Sequence, residues 1–201
     1  MNFLAHLYLS GENRELQFGN FIADAVKGSH MNGYPDMIRK GILLHREIDS
    51  YTDTHPIFLQ SRRRLSSKYN KISGVIVDIY YDHFLSKNWG DYSSQDIKKH
   101  VASAYLNLVL RFDLLPPRSK RILPFLITQN WLVGYADFEV LARVFKGMSR
   151  RASFLSGIEH AVDDLVADYS LYESEFRAFF PEIINHSDQY RKDLFLQRAK
   201  D

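Results

Sequence analysis

Apolar residues recur at steps of three and four along almost the whole chain, and no stretch alternates apolar with polar long enough to read as a strand. In the C-terminal third, Phe154, Leu155, Ile158, Ala161, Val162, Leu165, Val166, Tyr169 and Tyr172 keep this rhythm. Glu159, Asp163, Asp164 and Asp168 fill the opposite face. Phe176, Phe179 and Phe180 extend the stripe, and Pro181 is expected to end it. The same spacing predicts helices over 16–26, 37–51, 72–85, 97–112 and 131–145. Glycine and proline cluster at 28–35, 55–56, 90–94, 114–119 and 147–149, which places the breaks. The expectation is an all-α chain of roughly seven to nine helices. With 201 residues and no convincing linker it forms a single compact multi-helix domain over 1–201, its tail from about residue 191 prone to fray.

Composition removes several classes of chemistry. The chain has no cysteine, which excludes disulfides, thiolate zinc sites, iron–sulfur clusters and cysteine nucleophiles. Its 26 Lys plus Arg against 24 Asp plus Glu leave a net charge of +2, so no global basic surface speaks for nucleic acid. The start, MNFLAHLYLS, lacks the basic residues of a signal peptide, and the longest central apolar cluster, GVIVDIYY, is cut by an aspartate. No apolar run approaches the roughly 20 residues that span a bilayer, so a cytoplasmic protein without membrane contact is expected. Glycine-rich phosphate loops, G-x-S-x-G elbows and H-E-x-x-H helices are likewise missing.

What remains is an uneven placement of histidine and aspartate. His45, Asp49 and Asp53 stand four apart in GILLHREIDSYTD, which keeps them near one helix face, drifting about 40° per step. Asp78 and Asp82 repeat the spacing in VDIYYDHFL, with His83 adjacent, while His6 and Asp24 sit among apolar residues upstream. Carboxylates on apolar faces are costly and repel one another unless a cation compensates them. Oxygen and imidazole ligands without sulfur suit Mn²⁺, Mg²⁺ or iron, and such an ion lowers the pKa of water and neutralises phosphate. Each residue taken alone has an ordinary reading. Asp49 and Asp53 would pair with arginines, Asp53 would cap a turn, and His6 or Asp24 would be a hydrogen-bonded core group. The set, spread over four helices with matched spacing on two, points to a metal site.

Basic residues group locally at Arg62, Arg63 and Arg64, at Arg118, Lys120 and Arg121, and at Arg143, Lys146, Arg150 and Arg151. For the first group a solvated helix face is the ordinary reading. Arg150 and Arg151 follow a helix break, where guanidinium groups and a helix N-terminus suit phosphate or an acidic partner. Trp89 and Trp131 read as packing residues.

Five segments, MNFLAHLYLS, GNFIADAVKG, GILLHREIDSYTDTHP, DIYYDHFLSKNW and NWLVGY, occur in this order. Together they resemble the acyl carrier protein phosphodiesterase family, also called acyl carrier protein hydrolases and regarded as divergent relatives of the HD-domain phosphohydrolases. The resemblance runs from residue 1 to about residue 181. It implies an all-helical, divergent HD-like fold, a divalent cation (Mn²⁺ before Mg²⁺) and holo acyl carrier protein as partner. The implied reaction hydrolyses the phosphodiester joining 4′-phosphopantetheine to a serine of that partner. His6, Asn20, Asp24, His45, Arg46, Asp49, Asp53, Asp78, Asp82, His83 and Trp89 match the family's motifs. On that basis Asp24, His45, Asp49 and Asp82 hold the metal, with His6 or Asp78 as further ligands. His83 protonates the serine oxygen or serves as another ligand, and Arg46 clamps the phosphate. Arg150 and Arg151, then Arg62, Arg63 and Arg64, are the docking candidates for an acidic partner. One departure stands out: the chain has no His-Asp dipeptide, only Asp82-His83 in reverse order, and adjacent helical residues point about 100° apart. The competing readings are an HD-like hydrolase of a nucleotide or other small phosphoester, and a non-catalytic helical binding module.

Overall fold

The segment GVIVDIYYDHFL is apolar on nearly every side, and a helix of that kind belongs in the middle of a fold. The computed structural model, which describes residues 1–150 and 157–196, places it there. Eleven α-helices are present among the described residues: α1 (Phe3–Leu9), α2 (Arg14–Ile22), α3 (Asp36–Thr54), α4 (Pro56–Tyr69), α5 (Ser73–Lys87), α6 (Ile97–Leu110), α7 (Pro117–Thr128), α8 (Trp131–Gly134), α9 (Phe138–Ser149), α10 (Ala161–Ala167) and α11 (Tyr169–Leu196). No strand occurs among these residues, as the periodicity requires. Helix α5 touches α1, α4, α8 and α11, and Ile76, Val77, Ile79, Tyr80, Tyr81, Phe84 and Leu85 are all buried. Tyr80 meets Tyr172 edge-on at 5.1 Å, and Tyr81 meets Phe176 at 5.6 Å. Each such buried aromatic contributes about 1.5–3 kcal/mol. None of the described helices is long and apolar enough to cross a membrane.

Local chemistry explains most helix starts. Asn13, Asp96 and Asp137 each accept two backbone N–H bonds at the N-termini of α2, α6 and α9, and α4 and α7 open on Pro56 and Pro117. Two expectations are corrected. Pro181 does not end a helix, because α11 runs through it. Its cost of about 3 kcal/mol is outweighed by the burial of Phe176, Phe179, Phe180 and Ile183 around it. Of the tail expected to fray from about 191, residues 191–196 are helical with Leu194 buried, and 197–201 lie outside the described residues. The expected helix at 131–145 is two, since α8 stops at Gly134 and Asp137 caps α9. Short helices such as α1, α8 and α10 bring the number above the expected seven to nine.

The contact that matters most for the site lies between α2 and α3. A Cβ on Gly19 would stand 2.0 Å from the Ile38 carbonyl oxygen, and one on Gly41 would stand 2.2 Å from that of Leu16. Only glycine at both positions lets the two backbones touch. This close crossing sets Asn20, one residue past Gly19, against His45, one turn past Gly41.

Candidate metal centre

On α3, His45 and Asp49 lie one turn apart and face the same way, and their side chains meet at 3.1 Å between Nε2 and Oδ2. Helix α1 brings His6, whose ring stacks on that of His45 with centroids 4.0 Å apart and whose Nε2 lies 3.2 Å from Asp49 Oδ1. After α2 the backbone tightens into a 3-10 turn, Ala23–Ala25, that carries Asp24 to 3.3 Å from His45 Nε2. Ligand atoms of His6, His45 and Asp49 all lie within 4.8 Å of one another, the separation at which they could share an ion. A candidate metal site of His and Asp is therefore present.

The hydrogen-bond network tests the fit. Asn20 donates through Nδ2 to the His6 carbonyl oxygen at 3.1 Å and to Ser10 Oγ at 2.8 Å, which leaves its Oδ1 to accept from His45 Nδ1 at 3.0 Å. A neutral His45 then carries its proton on Nδ1 and a lone pair on Nε2. That lone pair faces Asp24 and Asp49, and although both carboxylates are close, neither is aligned to hydrogen-bond with it. An imidazole lone pair surrounded by carboxylates is repelled unless a proton or a metal ion lies between them. In the absence of metal it is a proton. Burial lowers the His45 pKa, but Asp24 and Asp49 outweigh that and hold it at about 9. His6, buried beside His45, is pushed down to about 4. For Asp49, burial opposes ionisation, but His45 and His6 outweigh it and hold the carboxyl well below its usual range. Pairing with His45 also lowers Asp24. The donor set and the unpartnered Nε2 fit a divalent cation.

The cluster opens into a cleft of about 620 Å³. Asp24, His45, Asp49, Asp53 and Asp78 line it, with Arg62, Lys71 and Arg118 also on its walls. Asp78 Oδ1 lies 2.9 Å from the Met1 amino nitrogen, and burial raises its pKa. Other sequence candidates stand elsewhere. Asp82 gives both oxygens to the start of α1, accepting from Leu4 N at 2.8 Å and Ala5 N at 3.0 Å. It caps a helix that has no side-chain cap of its own, and burial lifts its pKa to about 7. His83 is buried on another side of α5, with Nδ1 2.8 Å from the Tyr135 carbonyl oxygen and Nε2 3.0 Å from the Tyr169 hydroxyl. It does not line the cleft. Nor does Arg46, which is exposed and reaches the Val26 carbonyl at 3.4 Å. One step along α3 turns it about 100° away from His45.

The same geometry divides the Arg62, Arg63 and Arg64 group. Arg62 turns to the cleft, Arg63 is exposed, and Arg64 binds Glu175. Arg150 is exposed at the C-terminal end of α9, and Arg151 lies outside the described residues. Trp89 is buried and donates to the Gln95 carbonyl at 2.7 Å, a packing role. Sequence reasoning missed the orienting role of Asn20 and the place of Lys71 and Arg118 on the cleft. The paired Gly19 and Gly41 beside Asn20 and His45 were the available signal for the first.

Comparison with known proteins bears on what this cleft does. A family model described as acyl carrier protein phosphodiesterase matches residues 1–183. The acyl carrier protein phosphodiesterase of Photorhabdus laumondii is 33% identical over 196 residues, covering 97% of this chain and 98% of the relative. Those of Yersinia enterocolitica and Escherichia coli O157:H7 are 32% and 31% identical, covering 93% and 92% of this chain and 97% and 96% of the relatives. No solved structure matches. The chain belongs to the acyl carrier protein phosphodiesterase family.

Proposed function

We propose that this member of the family hydrolyses the phosphodiester between 4′-phosphopantetheine and a serine of holo acyl carrier protein, releasing the apo protein and 4′-phosphopantetheine. The observation that supports the reading best is the His45 Nε2 lone pair, turned by Asn20 toward Asp24 and Asp49 at the edge of an open cleft. His6, Asp24, His45 and Asp49 would hold a divalent cation, with Mn²⁺ favoured over Mg²⁺ because two of the donors are imidazoles. A cation there would supply Lewis acidity toward the phosphoryl oxygens and make water a better nucleophile near neutral pH.

The chain's own groups do the rest. Asn20 fixes the His45 ring and its tautomer, and Asp82 anchors the start of α1 so that His6 arrives in register. Val75, Ile79 and Ile122 give the cleft its apolar wall surface. A serine alkoxide is a poor leaving group, so charge neutralisation at the phosphate is where such a site must act. The cytoplasm is the compartment this reading implies.

The test is incubation of the protein with holo acyl carrier protein and Mn²⁺, followed by intact mass of the carrier protein. Loss of roughly 340 Da, the mass of the released group in such metal-assisted hydrolysis, is expected. An unchanged mass with Mn²⁺ demonstrably bound would leave a small phosphoester as substrate. An unchanged mass with no metal bound would leave a binding module.

A further inference from the structure

Three cations share the cleft with the carboxylates, and the fold does not use them. Arg62 comes from α4, Lys71 from the turn Asn70–Ile72, and Arg118 from the first turn of α7. Among the described residues none of the three side chains forms an ion pair or a hydrogen bond, whereas Arg64, Arg177 and Arg191 are each bound to a carboxylate. Lys71 and Arg118 are exposed and Arg62 is half-buried, and what sets them apart is that three separate elements deliver their unpaired charge to one cavity. The stem of Arg62 passes over α5 at Gly74: a Cβ there would lie 3.9 Å from its Cδ and Nε. Gly74 is one turn from Asp78 on the same face of α5, about 6 Å along the helix. Arg62 thus enters the cleft over the face of α5 that carries Asp78, while Val75, Ile122 and Met148 supply apolar surface in the same cleft.

We propose that Arg62, Lys71 and Arg118 form the anion-receiving wall of the cleft. They hold the phosphoryl oxygens of the 4′-phosphopantetheine group, and its arm lies over Val75, Ile122 and Met148. The inference rests on the carrier-protein reading for the identity of the arm. It has a physical basis of its own, because an acidic cluster alone repels a phosphodiester and a facing cationic wall reverses that field. A planar guanidinium binds two phosphate oxygens at once, which suits Arg62 and Arg118 better than Lys71 to fixing orientation.

Calorimetric titration of the full chain with free 4′-phosphopantetheine, with pantetheine and with inorganic phosphate tests this without turnover. Phosphopantetheine should bind at least about tenfold more tightly than pantetheine, as expected for hydrogen bonds to a charged group. Arg62→Ala and Arg118→Ala should each remove about tenfold of that affinity while leaving pantetheine binding and Mn²⁺ binding unchanged. Arg62→Gln, which preserves the stem over Gly74, should behave as Arg62→Ala, and Arg121→Ala on the same helix as Arg118 should behave as the parent chain. Unchanged phosphopantetheine affinity in both arginine variants would overturn the wall. If the parent chain still releases apo carrier protein in that case, only this inference fails. If phosphate binding depends on Arg62 and Arg118 but holo carrier protein is never cleaved, the wall stands and the substrate reading fails.

Discussion

Two clusters of oppositely charged groups among the described residues, one around Glu175 and one around His45, are finished differently. Between α4, α5 and α11, Glu175 receives Arg64 through both oxygens, at 3.0 Å and 2.7 Å, and also accepts a short hydrogen bond from Ser61. Ser61 meets the Tyr81 hydroxyl at 2.9 Å, and the Arg64 guanidinium lies 4.6 Å from the Tyr172 ring centre. Both carboxylate oxygens and the guanidinium fork are satisfied within the protein. Between α1, α2 and α3, by contrast, His45 Nε2 is close to two carboxylates and aligned with neither, and His6 Nδ1 has no partner. The first cluster is closed and the second is incomplete. Charge that only ties helices together finds its partners in the chain, whereas an imidazole lone pair turned toward two carboxylates suits a cation supplied from outside it.

The sharpest break between the two clusters should come from removing one carboxylate in each. Asp49→Ala should lower Mn²⁺-dependent release of apo carrier protein by more than about a hundredfold with the circular dichroism spectrum unchanged. Mn²⁺ at a hundred times its Kd should stabilise the parent chain by about 2.7 kcal/mol, a rise of several degrees in Tm that Asp49→Ala should abolish. Survival of that rise would remove Asp49 from the metal site. Glu175→Ala should do the reverse. Arg64, partly exposed and still 3.8 Å from Asp168, would lose its main partner, which should cost about 1–3 kcal/mol of stability, seen by urea unfolding, with the turnover of the folded fraction and the Mn²⁺ shift both kept. A loss of turnover matching that of Asp49→Ala would erase the distinction.

Asn20→Ala probes the open cluster more finely, because it frees the His45 ring without removing a ligand. Mn²⁺ affinity should fall about tenfold to a hundredfold, and titration calorimetry reads it directly. The smallest effect is on pH dependence. In the metal-free chain the His45 pKa is raised from 6.5 to about 9, so folding favours its protonated form. Its stabilising contribution is complete below about pH 6.5 and is lost as pH rises through about 9. Thermal midpoints of metal-free protein should therefore carry a downward component across that window that His45→Ala removes. In saturating Mn²⁺ that component should vanish, because a metal-bound imidazole is already neutral. A metal-free profile identical to that of His45→Ala would show that the pairing with Asp24 and Asp49 is absent.

Much of this was legible in the sequence. Three-and-four spacing determined an all-helical chain because a helix buries one face at that period whatever it packs against. The interval between His45 and Asp49 placed both on one face of α3 by helix geometry alone, and the lack of cysteine restricted the site to oxygen and imidazole donors. Tertiary structure decided the rest. Asp78 and Asp82 carry the same spacing, yet one lines the cleft and the other caps α1. His83 turns to Tyr135 and Tyr169, and the three consecutive arginines of α4 go to the cleft, to solvent and to Glu175. On α5 nearly every side is apolar, so no period in the sequence distinguishes the side that meets α1 from the side that meets the cleft. Only the packing of neighbouring helices assigns those sides, and with them the residues that are left free to bind.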